Sequence, residues 1–217
     1  GRVVSTVPPG WASWTVVTNR EQLLAAVSNP PPRLLGLFGD GGPMCYEYDH
    51  AHTTRRDYQR IPHLSEMAMA AARIVEQGSA GFFLMIEGAN IDKASHANHL
   101  ERAVYETVEF DRTVRAVVEW ATARGDTLVI VTADHETGGL RVIAGRGPGS
   151  MPEVVWSSRG HTGANVSIWA VGPGAERIGG TWDNTDIWRF MTGTFDEPTR
   201  YMPEVGEEPV LSGSMAD

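Results

Sequence analysis

Cysteine is nearly absent from this sequence. Cys45 stands alone among 217 residues, which excludes an internal disulfide and a cysteine-based zinc site. One thiol does not fix the compartment, because a secreted protein can lack disulfides. Long apolar runs are missing too, and none approaches the ~18 residues that a membrane-spanning helix needs. Positive charge is scarce: 18 Lys and Arg face 27 Asp and Glu, for a net charge of −9 without a basic cluster. That balance argues against a nucleic-acid-binding surface. No internal repeat is visible, and Pro30–Pro32 is the only low-complexity tract. An initiator methionine is lacking at Gly1 and no charged-then-apolar leader follows, so the chain reads as cut, processed or prepared as a fragment.

What is present is a globular balance of 41% apolar and 21% charged residues, which disfavours disorder through most of the length. The stretch around Pro8-Pro9-Gly10 and Trp11 reads as a loop. Thr18-Asn19-Arg20-Glu21 fits a capping box that opens a helix to about Ser28. Leu34–Phe38 is a compact strand candidate, ended by Gly39-Asp40-Gly41-Gly42. Residues 40–63, with Arg55 and Arg56, read as loop. Leu64, Met67, Ala71, Ile74 and Val75 recur at helical spacing. Phe82–Ile86 and Leu128–Val131 read as buried strands flanking a long helix over Arg102–Arg124 that Gly125 ends. Leu140–Ala144 and Ser167–Val171 are further strand candidates, and Asn184 caps a short helix. Alternating strand and helix imply an α/β fold with a mostly parallel sheet flanked by helices. From Phe195 the composition turns to proline, glutamate and glycine, so residues 1–194 are read as one domain portion and 195–217 as an extended or mobile tail.

Three segments supply metal-type donors where predicted strands end. Glu87 follows the first strand, with Asp92 and His96 beyond it. A carboxylate and an imidazole at i and i+4 share one helical face and make a zinc half-site. Asp134 and His135 follow Leu128–Val131, and His161 lies in Gly160-His161-Thr162-Gly163. Glu87 suits a harder, oxygen-loving ion such as magnesium. Each residue alone has an ordinary structural reading: turn chemistry for Asp134-His135, a local pair for Asp92 and His96, a solvated carboxylate for Glu87, a hydrogen-bonded imidazole for His161. Their recurrence at the carboxyl ends of strands, where open α/β sheets bind ligands, favours a common centre. Two cations about 4 Å apart would serve phosphoryl transfer. His50, His52, His63 and His99 follow no such pattern and are assigned to surface or loop roles. Cys45 reads as a packed or loop thiol.

The segments Gly81–Lys93 with His96, Thr127–Gly139, and Gly160–Gly163 with Ala170–Ala175 and Asn184–Asp186 resemble the alkaline phosphatase family. The likeness runs from about Val16 to Met191. Residues 136–160 are short where some members carry an insertion. The resemblance implies an alkaline-phosphatase-like fold, incomplete at its N-terminal side. It implies two zinc ions, the first on Asp92, His96 and His161 and the second on Asp134 and His135, and one magnesium on Glu87. Lys93 stands where some members carry a lysine that approaches phosphate through water. The family's nucleophile is a serine in an Asp-Ser-Ala context, and no serine of this chain follows an aspartate.

The reading is therefore the later half of a phosphomonoester hydrolase that works through a phosphoserine. This chain supplies most zinc ligands, lacks the nucleophile and is inactive alone. The resemblance implies a phosphomonoester substrate, the preceding half of the enzyme as partner, and a periplasmic or extracellular location. Members are often homodimers, though these residues show no interface. A related two-metal phosphodiesterase or phosphomutase, or a non-catalytic metal-binding fragment, stands as the alternative.

Overall fold

The structure, a computed structural model, describes residues 13–39, 45–52, 58–196 and 198. The expectations for Pro8–Trp11, for the turn after Gly39, for Arg55 and Arg56, and for nearly all of the tail lie outside those residues. The described residues fall into two compact units, one ending at Pro173 and the other beginning at Gly174.

The first unit opens with strand β1 (Thr15–Val17), helix α1 (Arg20–Ser28) and strand β2 (Leu34–Gly36). The α1 cap lies one residue later than its sequence suggests. Asn19 accepts from the Gln22 N–H at 2.9 Å, while the Gln22 side chain reaches back to the Thr18 N–H at 2.7 Å. Asn is at least as good a cap as Thr. Helix α2 (Glu47–His52) forms where the sequence predicts loop. Acidic Glu47 and Asp49 in its first turn and His50 and His52 in its last match the helix dipole. Helix α3 (Leu64–Val75) begins at the cap residue His63.

Helix α4 (Ala89–His96) and helix α5 (Leu100–Arg124) follow. Gly125 closes α5 with a left-handed φ of 73° and returns its N–H to the Ala121 carbonyl. Strands β3 (Val129–Val131), β4 (Glu136–Thr137), β5 (Leu140–Ala144), β6 (Glu153–Trp156), β7 (His161–Thr162) and β8 (Trp169–Val171) complete the unit.

Strand pairing departs from the mostly parallel sheet expected. β1 and β2 pair in parallel, whereas β3–β8, β4–β7 and β5–β6 are antiparallel. These three pairs are nested in sequence. Once the chain doubles back after β5, each returning segment meets the outgoing one in the opposite sense. The predicted strand Phe82–Ile86 carries no ladder among the described residues. It keeps the alternation of one: Phe82 and Leu84 pack on the core, while Phe83 and Met85 are 70% and 75% exposed. Hydrophobic alternation makes one face, but only pairing makes a strand.

Helix α3 separates two apolar clusters. Ala70 packs with Val17 and Leu23, and Ala72 with Trp120 and Ala121. Alanines on α3 allow close approach to its neighbours, and Phe82, Leu84 and Val129 close the second cluster. That cluster fixes the segments leading to α4 and to β3, and so aims both ends that carry metal-type residues. Trp120 is 8% exposed and donates its Nε1–H to Glu76 at 2.9 Å. That hydrogen bond holds the Glu76 carboxyl below its ordinary 4.5; partial burial opposes the shift, and Arg73 and Arg124 assist it. A lowered native value means the stabilisation is complete above 4.5 and is lost as pH falls through the native value. Glu76→Ala is expected to cost about 1–2 kcal/mol at neutral pH, chiefly through the orphaned indole N–H. Urea midpoints measured against pH should show an acid-side loss in the parent that Glu76→Gln reduces.

The second unit contains helix α6 (Asn184–Met191), capped by the Asp183 side chain on the Thr185 N–H. Trp182 and Phe195 stack at 4.5 Å, Phe190 meets Phe195 edge-on at 5.7 Å, and the Arg177 guanidinium lies 5.0 Å from the Phe190 ring centroid.

Candidate metal centre

Helix α4 presents Asp92 and His96 one turn apart. The His96 Nε2 lies 3.2 Å from Asp92 Oδ1. The register of β4 on β7 sets His161 opposite Thr137, and His161 Nε2 comes within 3.1 Å of His96 Nε2 and 3.4 Å of Asp92 Oδ1. Two helix residues and one distant strand residue thus converge three donor atoms on one point.

Those separations test whether a cation fits. Tetrahedral zinc with ligand bonds of ~2.0–2.1 Å requires donor atoms about 3.3 Å apart. The triangle of 3.1, 3.2 and 3.4 Å matches that edge and leaves the fourth corner open. Neutral imidazole nitrogens and one carboxylate oxygen are a zinc donor set.

Hydrogen bonds assign the tautomers. The His96 Nδ1 is occupied by the Arg159 carbonyl, an acceptor, so Nδ1 carries the proton and Nε2 offers its lone pair inward. Asp92 is held as a carboxylate. Burial opposes its ionisation, but donation from Lys93 Nζ at 2.9 Å and from Thr137 Oγ1 at 2.7 Å, with the charge of Lys93 and that of His96 whenever the metal-free imidazole is protonated, carries its pKa down to about 2.

Asp134 and His135 form a second pair beside the triad. Asp134 Oδ2 and His135 Nε2 are 3.2 Å apart, one more tetrahedral edge. The His135 ring stacks on that of His161 at 3.5 Å. Its Nδ1 meets Thr137 Oγ1 at 3.2 Å; that hydroxyl gives its own proton to Asp92 and so accepts here. The Asp134 carboxylate is 86% exposed and faces solvent. Glu87 is exposed and belongs to no donor cluster among the described residues. The Lys93 ammonium pairs with Asp92 rather than standing free, and that hydrogen bond raises its pKa.

Two contributors escape a reading of the sequence. Thr137 bridges the two donor groups through one hydroxyl, and its position two residues after His135 was a usable signal. The Arg159 carbonyl carries no side-chain signal at all. Gly138 locks the arrangement. Its φ is 91°, its N–H donates to the Gly160 carbonyl at 2.9 Å, and an added Cβ would lie 2.6 Å from the Trp156 ring. A glycine there lets the loop after His135 pack directly against the segment that carries His161.

The family model for alkaline phosphatase matches residues 10–150. The chain belongs to the alkaline phosphatase family. It is 33% identical over 194 residues to the alkaline phosphatase of Escherichia coli strain K12, covering 76% of this chain and 41% of that protein. Among solved structures, the alkaline phosphatase of the Antarctic bacterium TAB5 superposes with a TM-score of 0.67 at 26% identity, covering 84% of this chain and 52% of that one. A magnesium-bound variant of the same Antarctic enzyme gives 0.65 at 25% identity, covering 85% and 54%. The α/β fold is therefore that of an alkaline phosphatase, and the chain spans about half or less of the length of these relatives.

Proposed function

We propose that this alkaline phosphatase chain is the metal-binding later portion of a phosphomonoester hydrolase. The observation that carries the reading is the triangle of Asp92, His96 and His161 donor atoms at tetrahedral spacing. Asp92, His96 and His161 would hold one zinc, Asp134 and His135 a second, and Glu87 a magnesium. When bound, such ions supply Lewis acidity to the phosphate oxygens and the departing alcohol. The chain's own residues fix where that acidity acts. The Arg159 carbonyl and the Thr137 hydroxyl orient His96 and His135, and Thr137 and Lys93 keep Asp92 ionised. The exposed Asp134 leaves its side of the centre open for a phosphate to approach. Lys93 is close enough to solvent to turn from Asp92 toward a phosphate oxygen, directly or through water. The attacking serine, which forms the phosphoserine, would come from the preceding polypeptide, since no Asp-Ser pair exists here. A periplasmic or extracellular location and a homodimer belong to the same reading. Among the described residues, no helix is long and apolar enough to cross a membrane.

The test compares the purified 217-residue chain with a version extended to the length of its relatives. Each is assayed on a phosphomonoester and a phosphodiester, before and after zinc chelation. The extended form is expected to prefer the monoester and to lose activity with the metal, while the short chain binds metal without turnover. Diester preference, or chelation-resistant activity, would overturn the assignment.

A further inference from the structure

A second group of donor side chains lies outside the three motif segments. Glu47 and His50 stand three residues apart on one face of α2, and His63 caps α3. One ligand atom from each lies within 4.8 Å of the others. His63 Nδ1 is 2.9 and 2.8 Å from the two Glu47 oxygens, and the His50 and His63 ring centroids are 4.8 Å apart. All three residues are half-buried.

The surroundings are acidic. The Glu106 carboxyl, whose pKa burial pushes up to about 7, accepts the Glu47 N–H at 2.6 Å and is only partly ionised at neutral pH. The nearly buried Glu109 accepts from the Ser65 N–H and hydroxyl at 3.0 and 2.6 Å. Arg102 answers Asp49 at 3.1 Å and Arg112 reaches Glu109 at 3.6 Å, so the local arginines are directed to other carboxylates than Glu47. Two imidazoles and a carboxylate thus gather in a negative environment that favours a cation.

We propose that Glu47, His50 and His63 form a further cation site, separate from the metal centre, for zinc or a similar divalent transition metal, clamping α2 to the start of α3. Two histidines and one carboxylate are a three-ligand zinc set that leaves a fourth position for water. Magnesium and calcium, which want oxygen ligands throughout, fit it poorly. Binding asks for a small adjustment. Donor separations of 2.8 to 4.8 Å must converge on about 3.3 Å, which side-chain rotation on two neighbouring helix ends can supply. A clamp has a reason to exist here, since α2 is six residues long and helices so short are marginal on their own. The site also adjoins the anchor of the metal-carrying helix: Asn90 on α4 donates to the Cys45 carbonyl at 3.1 Å, two residues before Glu47.

The test removes the first centre and asks what zinc remains. The full chain carrying His96→Ala and His135→Ala is dialysed against zinc alone, and bound metal is counted by mass spectrometry. Retention of one equivalent is expected, with a zinc-dependent rise in Tm. Adding His50→Ala should release that equivalent and remove the rise, with the far-ultraviolet circular dichroism unchanged. His50 is chosen because His63 also caps α3. The proposal is overturned if the double variant holds no zinc, or if it keeps its zinc after His50→Ala.

Discussion

Alanine at His96 is expected to strip the chain of its tightest zinc. The substitution removes one corner of the donor triangle and leaves Asp92 and His161, two ligands 3.4 Å apart, with the Arg159 carbonyl unpaired. Loss of partners that merely orient a ligand costs 10–100-fold in affinity, so loss of a ligand itself should cost at least about 100-fold. The fold should tolerate the change, because His96 is the last residue of α4 and its side chain is one-third exposed. His52→Ala is the control, since His52 lies outside both donor groups. Zinc titration of the three proteins reads the result directly. Equal affinity in parent and His96→Ala would mean that zinc binds elsewhere.

Asp134→Ala separates function from stability more sharply. The carboxylate is 86% exposed and lies 3.2 Å from His135 Nε2. An exposed side chain with so few contacts should change stability by no more than about 0.5 kcal/mol. Its loss is nevertheless expected to lower phosphomonoester turnover by at least about 100-fold in the chain extended to the length of its relatives. The second ion would keep only His135 from this chain, and charge stabilisation by a bound metal amounts to several kcal/mol at the transition state. The measurement pairs kcat with Tm. A fall in Tm that matched the fall in kcat would point to a structural carboxylate, and unchanged kcat would remove Asp134 from the centre.

How much of this was legible in the sequence depended on the range of the interaction. Helices α3 and α5 were plain because their apolar spacing and the Gly125 stop act locally. The pairing of strands was not, because it is decided between segments. Among the described residues, Phe82–Ile86 has the alternation of a strand and no ladder, and three of the four strand pairs run antiparallel because they nest about one reversal. The donor residues were legible because Asp92 with His96 and Asp134 with His135 are sequence neighbours that already share a face or a turn. That His161 joins them is set by the β4–β7 register, and the Thr137 bridge and the Arg159 carbonyl follow from that register too. His50 and His63 looked unrelated for the same reason. The packing of α2 and α3 beside α5, not their spacing in the chain, brings them together with Glu47.

Asp92, His96 and His161 are proposed to hold one metal ion between them. Crystals of the zinc-loaded chain, measured on both sides of the zinc absorption edge, test it most directly. An anomalous peak is expected between Asp92 Oδ1, His96 Nε2 and His161 Nε2, about 2.0–2.2 Å from each. Zinc found only at other positions, with these three side chains still bonded to one another, would contradict it.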